Sequence, residues 1–295
     1  MDLHLVLDQP QVAGPLALFP VYSDDPAAPD YLPGPRATDQ LTINEQDGFA
    51  EVGQLTVTNA ADRPVLLVEG DTVLGAKQNR TLNISVLIAA RGTASIPVSC
   101  VEAGRWGAPR AAGFSPRHAP GALRGPKTAS VNRSVARGTG RQSNQGEVWE
   151  NVDLYAAAFS VDSPTSALED VHRSVERNVT QLVQNLRPSP DQRGVVIAIG
   201  STVRSIDLFD KPETLDAYWE QLVHGYAVDA LAQPDAKATA TLADAKAFVA
   251  LMSEARVTDV SGVGLGEELH LTSTRIAGTG LRWAGAVCHL SAFAA

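Results

Sequence analysis

Five short runs rich in Val, Ile, Leu and Thr constrain this chain more than any other feature: Leu16-Ala-Leu-Phe-Pro-Val-Tyr22, Gln54-Leu-Thr-Val-Thr58, Pro64-Val-Leu-Leu-Val-Glu69, Asn83-Ile-Ser-Val-Leu-Ile88 and Ala94-Ser-Ile-Pro-Val-Ser-Cys100. Such residues suit a pleated, half-buried surface, and the turn signals between them (Asn59-Ala-Ala-Asp62, Glu69-Gly-Asp71, Ala90-Arg-Gly92) fall at spacings that fit antiparallel pairing. A β-rich N-terminal half is expected. The second half alternates helix and strand signals. A helical stretch near Glu147 to Phe159 precedes a strong amphipathic helix after Ser163, with Pro164 suited to its first turn. Its apolar stripe is Leu168, Val171, Val175, Val179, Leu182 and Leu186, and Pro188 stops it. Gly194 to Gly200 reads as a buried strand with Val203 to Phe209 as its hairpin partner.

Asp210-Lys-Pro-Glu213 has the pattern of a capping box, and Leu215, Trp219, Leu222, Val223 and Tyr226 follow at helical spacing. A further helix is expected from about Leu242 to Ala255. Two alternating runs, Glu268 to Arg275 and Leu281 to Leu290, are read as a hairpin joined at Gly278-Thr-Gly280. The expected class is therefore α+β, an antiparallel β-rich N-terminal half packed with a mixed helix and strand C-terminal half. Residues 1–295 are read as a single domain.

An apolar content of 44% is ample for a core. The first residues carry acids where a secretory signal needs a basic flank, and the apolar runs are too short to span a bilayer, so a cytoplasmic protein without membrane contact is expected. Cys100 and Cys288 show no metal-type spacing and suggest no disulfide framework. Six histidines, His4, His118, His172, His224, His270 and His289, show no paired spacing for a metal site or a catalytic triad.

Charge is unevenly distributed. Ala103 to Gly146 holds eight cations (Arg105, Arg110, Arg117, Arg124, Lys127, Arg133, Arg137, Arg141) and no acid, on a chain whose net charge is −9. Gly, Pro and Ser supply 16 of the 43 positions from 104 to 146 with no surviving period, which predicts a long basic loop over residues 107–145. A local positive field attracts anions. The acidic total, with a pI near 5.1, argues against a general nucleic-acid binder and leaves only this loop as an RNA contact.

The densest polar cluster lies just before that stretch. Glu69-Gly-Asp71 places two carboxylates around a flexible turn, suited to a divalent cation or to ribose hydroxyls; an acidic turn with satisfied hydrogen bonds accounts for the same residues. Lys77, Gln78, Asn79 and Arg80 supply two cations and two amides that suit phosphate, base or sugar, or else bond local backbone. Glu102 joins Glu69 and Asp71 as a third candidate acid or base. Arg105 adds a phosphate fork, and Trp106 offers a stacking surface. Cys100 beside a guanidinium has the setting of an activated thiol, yet it ends an apolar run with no nearby His, where a free cysteine is usually a buried packing residue. Gly262-Val-Gly-Leu-Gly266 is a turn, because a strand pattern follows it where a phosphate loop needs a helix.

Leu66 to Arg80 leading to Ile96-Pro-Val-Ser-Cys-Val-Glu-Ala-Gly-Arg-Trp106, together with Val195 to Gly200, Ile206-Asp-Leu-Phe-Asp210 and Gly225-Tyr-Ala-Val-Asp-Ala-Leu231, resembles the ARG and Rhodanese-Phosphatase-superfamily-associated Protein domain family. The resemblance runs in order from about Val12 to Leu290 and implies a mixed α and β domain. The family's name implies work near ADP-ribose or phosphoester metabolism and transfers no catalytic residue. Two functions are expected: binding or hydrolytic processing of an ADP-ribose-like or other phosphorylated nucleotide ligand, or a non-catalytic adaptor or sensor whose basic loop takes RNA or an acidic partner.

Overall fold

A computed structural model describes residues 3–45, 53–105 and 110–295. Its strands are β1 (Leu5–Leu7), β2 (Gln11–Ala13), β3 (Leu16–Ser23), β4 (Leu32–Pro33), β5 (Leu41–Glu45), β6 (Gln54–Asn59), β7 (Val65–Leu67), β8 (Thr72–Ala76), β9 (Arg80–Leu82), β10 (Val86–Ile88), β11 (Thr93–Cys100), β12 (Arg110–Phe114), β13 (Gly194–Ile199), β14 (Thr202–Phe209), β15 (Arg256–Ser261), β16 (Glu267–Thr272), β17 (Ile276–Trp283) and β18 (Ala286–Ala294). The helices are α1 (Gly121–Ala136), α2 (Gln145–Ala158), α3 (Leu168–Val183), α4 (Pro212–Leu231) and α5 (Leu242–Ser253). The class is α+β with a β-rich N-terminal half. None of the helices is long and apolar enough to cross a membrane.

The largest sheet runs β1-β3-β13-β14-β18-β17-β16-β15, with β2 on β3; a second runs β12-β8-β9-β11-β6-β5, and a third β10-β7-β4. Every pairing is antiparallel except the short β4–β7 contact. The N-terminal β3 therefore lies inside the sheet built by the C-terminal half. Along β13, Val195, Ile197 and Ile199 join Leu16 and Leu18 against Leu215, Trp219 and Tyr226 of α4. Val196 and Ala198 join Phe19 and Val21 against Phe248 and Met252 of α5. Helices on both faces explain why β13 is apolar at every position, where a one-sided strand would alternate.

The expected loop over 107–145 is corrected: it contains β12 and the sixteen-residue α1. The missing period has a physical cause. The inward face of α1 carries Arg124, Lys127, Thr128 and Asn132 as well as Leu123 and Val131, so burial does not coincide with hydrophobicity. Gly125 lets the helix approach β18, where an added Cβ would lie 3.2 Å from the Cβ of Phe293.

Three smaller expectations also change. Helix α3 begins at Leu168, beyond Pro164, and Ser163 Oγ accepts the Ala167 N–H before it. Asp210 and Glu213 form no capping box: Asp210 instead accepts the Ala28 N–H at 2.8 Å and the Tyr31 hydroxyl. A reciprocal box does form at Thr241 and Asp244, before α5. Gly278-Thr-Gly280 lies within β17, and the turns fall at 273–275 and 284–285.

Candidate functional site

The eight cations of the 103–146 stretch are largely neutralised by carboxylates from elsewhere in the fold. Arg105 pairs with Glu102, Arg117 with Glu169 and Glu176, Arg124 with Glu69 and Asp207, Lys127 with Glu69, Arg133 with Glu147, and Arg141 with Glu268. Only Arg110 and Arg137 have no carboxylate partner among the described residues. What reads along the sequence as a free positive field is a set of ion pairs in space.

Four of these charges meet in the interior. Glu69 follows β7 and is fully buried; its Oε1 lies 2.7 Å from Lys127 Nζ, and its Oε2 accepts from Arg124 Nε at 2.9 Å. The same guanidinium grips Asp207 of β14 through Nη2 at 2.8 Å and Nη1 at 3.1 Å. The Tyr226 hydroxyl donates to Asp207, and Lys127 also donates to the Leu82 carbonyl. Ser85 Oγ accepts the Glu69 N–H and contacts His289 Nδ1, whose other ring nitrogen lies 3.4 Å from Asp207. Burial alone pushes Asp207 up, but the Arg124 charge reverses this and holds it well below the usual carboxylate range. Burial also lowers the Lys127 ammonium, with Glu69 opposing the shift. The cluster is compensated and enclosed. A cation seeking Glu69 would meet an ammonium already in place.

Asp71 lies two residues away in a different environment. Gly70 between them has φ 92°, and a Cβ there would stand 2.2 Å from His118 Cε1, so only glycine fits. Asp71 accepts from the Val68 N–H at 2.9 Å and from Gln221 Nε2 at 3.0 Å, with the Tyr218 hydroxyl at 3.4 Å. Burial raises its carboxyl to about 7, against those hydrogen bonds. His118 Nε2 is 3.7 Å from Asp71 Oδ1, and burial holds its imidazole well below the usual histidine range. Asp71 reaches a cleft of about 310 Å³ lined also by Gly34, Thr38, Phe114, Ser115, Glu220 and Gln221.

Asn79, Glu102 and Arg105 form a third group. The Glu102 carboxylate takes Arg105 Nε at 2.9 Å and Nη2 at 2.8 Å, the Asn79 N–H at 3.0 Å and the Thr165 hydroxyl at 2.9 Å. Burial opposes ionisation of Glu102, but those donors outweigh it and hold the carboxyl below its ordinary value. Asn79 Oδ1 accepts the Gly75 N–H, and Arg105 also donates to the carbonyls of Gly75 and Ala76. Gly75 has φ 95°, and a Cβ there would meet the Ala111 carbonyl oxygen at 2.1 Å, so glycine also sets the approach of β8 to β12. These residues border a cleft of about 710 Å³ whose other walls include Arg110, Phe114, Glu169 and Arg173. Phe114 is common to both clefts.

The candidate residues thus divide. Asn79, Glu102 and Arg105 share the larger cleft, Asp71 opens into the smaller one, and Glu69 belongs to the interior cluster. Arg80 is buried, with Nη2 4.0 Å from Glu45, and Gln78 is buried with its amide on the Ala103 carbonyl. Lys77 is half-buried, and its N–H donates to Glu45. Trp106 lies outside the described residues. Cys100 is a packing residue: burial raises its thiol, and Gln145 brackets its backbone. Glu69, Asp71 and Glu102 do not converge on one metal. Among the described residues the trio close enough to share an ion is His4, Asp24 and Asp25.

Sequence reasoning missed Asp207, His118, Glu220 and Arg173. Asp207 carried a signal, a lone acid inside the apolar run Ile206-Asp-Leu-Phe209; the others carried none. The profile of the ARG and Rhodanese-Phosphatase-superfamily-associated Protein domain matches residues 4–293, and the chain belongs to that family. No curated protein and no solved structure matches it.

Proposed function

We propose that the protein binds a phosphorylated, nucleotide-like ligand in the larger cleft, with Arg110 and Arg173 holding phosphate and Asn79, Thr165 and Phe114 meeting sugar and base. The observation that carries this reading is Arg110, an exposed guanidinium without a carboxylate partner among the described residues, at a cleft of about 710 Å³. That volume lies within the range of small-molecule sites. Arg173 lines the same cleft with its side chain 64% exposed; it pairs with Asp170 at 2.7 Å and with Glu169 at 3.7 Å, and its exposure leaves it accessible to an incoming anion. Arg105 is already saturated by Glu102 and two carbonyls; its part is to shape the wall. Glu102, held ionised, is a hydrogen-bond acceptor and an anchor, not a proton donor.

Nothing favours the adaptor reading, because six of the eight cations in its basic segment are paired. Calorimetry with ADP-ribose and with ADP tests the binding reading. Wild-type protein should bind, the Arg110→Ala, Arg173→Ala double variant should bind at least about tenfold more weakly, and ligand at ~100 times its Kd should add ~2.7 kcal/mol to unfolding stability. Absence of binding, or binding indifferent to both substitutions, overturns it.

A further inference from the structure

Consecutive residues of a strand point to opposite faces, yet Arg204 and Ser205 of β14 both line one cavity of about 420 Å³. A bulge explains this. Ser205 pairs with Ile197 and Val203 with Ala198, so Arg204 opposes no residue of β13 and leaves the strand's alternation. The cavity lies between α1, α2, the end of α4 and β18, with Leu154, Ile199 and Phe293 among its apolar walls, and its volume suits a small molecule. It shares no residue with either cleft described above. Arg204 is exposed and has no carboxylate partner among the described residues; its Nη2 donates to Gln233 Oε1 at 3.4 Å, a long bond. The Ser205 hydroxyl is fully buried and makes no hydrogen bond among the described residues, an arrangement that costs stability until a partner arrives. Asp229, the carboxylate of the cavity, is already taken, accepting the Tyr155 hydroxyl and the Ala122 N–H at 3.2 Å. Leu154 stands 63% exposed at the rim.

We infer that this cavity is a second ligand site, which binds a small aliphatic carboxylic acid as its anion. The Arg204 fork and the Ser205 hydroxyl hold the carboxylate, and the chain lies along Ile199, Phe293 and Leu154. The charges select this chemistry. A guanidinium matches the two oxygens of a carboxylate, and its neighbour supplies a further donor. An amine would meet Arg204 as a like charge and find Asp229 occupied. A neutral chain would cover apolar wall and leave both donors unanswered. The site stands apart from the nucleotide reading, and neither depends on the other.

The test is calorimetry with octanoate, and with octan-1-ol as the uncharged chain of the same length. Octanoate should bind wild-type protein more tightly than octan-1-ol does. Arg204→Ala should weaken octanoate about tenfold or more and leave octan-1-ol within about threefold. Leu154→Asp, which sets a like charge at the rim, should weaken octanoate as well. Arg204 and Leu154 are both exposed, so these variants keep the fold. Ser205→Ala should weaken octanoate while the urea midpoint of the free protein stays level or rises, because it removes a buried donor that is unpaired there. The Arg110→Ala, Arg173→Ala double variant should bind octanoate as wild type does. Absence of octanoate binding, binding indifferent to Arg204→Ala, or binding lost in the double variant overturns the inference; the last result would put the anion in the larger cleft.

Discussion

Every guanidinium nitrogen of Arg124 is committed inside the protein: Nε to Glu69, Nη1 to Asp207 and Tyr226, and Nη2 to Asp207. Removing it leaves Asp207 buried with the Tyr226 hydroxyl and the His289 ring at 3.4 Å but without its guanidinium partner. Uncompensated interior charge is among the most damaging single changes, so Arg124→Met should lose about 3–5 kcal/mol in urea unfolding. A loss under ~1 kcal/mol would show that water or repacking replaces the pair. Two glycines give a cleaner comparison, because both have positive φ but differ in surroundings. Gly138 has φ 69° and nothing within 4 Å of an added Cβ, whereas Gly70 faces His118. Gly138→Ala should cost only the backbone penalty of ~1–2 kcal/mol, and Gly70→Ala should cost clearly more. Equal midpoints for the two variants would remove the steric reason for Gly70.

Elements with a clean period were legible from sequence: β3, β6, β11, β13, α3 and α5 lie where apolar spacing puts them. Helix α1 was not, because its buried face is charged, and no periodicity of hydrophobic residues records a guanidinium that will meet Asp207 eighty-three positions later. The site followed the same rule. Glu102, Arg105 and Asn79 are close in space partly because β11, β9 and β8 are sheet neighbours. His118 and Gln221 reach Asp71 from distant segments, and spacing along the chain cannot express that. The two capping patterns provide a direct check. Thr241→Ala breaks a box that forms and should cost about 1 kcal/mol, while Glu213→Ala removes a partner that caps nothing and should stay within ~0.5 kcal/mol. Similar losses at both sites would restore the 210–213 box.

Across the whole molecule, buried ionisable groups pull stability in opposite directions with pH. His118, His172 and His224 are all held below the ordinary histidine range by burial, so the unfolded chain binds their protons more readily. Their contribution is complete above about pH 6.5 and drains away below it. Burial raises Asp71 to about 7 and Asp229 to about 6, so their contribution is complete below about pH 3.8 and is lost as pH rises through those values. Wild-type protein should therefore lose its advantage over Asp71→Asn steadily from pH 4 to 7, and His172→Phe should flatten the acid limb between pH 6.5 and 4. Urea midpoints across that series decide both, and parallel curves refute the assignment. The placement of β3 between β1 and β13 has a further consequence for dissection. A polypeptide ending near residue 105 would carry β3 without its β13 neighbour and Glu69 without its counter-ions, and the complementary piece from 110 onward would bury Arg124 against one acid instead of two. Expressed apart, the two pieces should each be insoluble or unstructured; mixed from denaturant, they should reassemble into a noncovalent heterodimer that sediments at the mass of the intact chain.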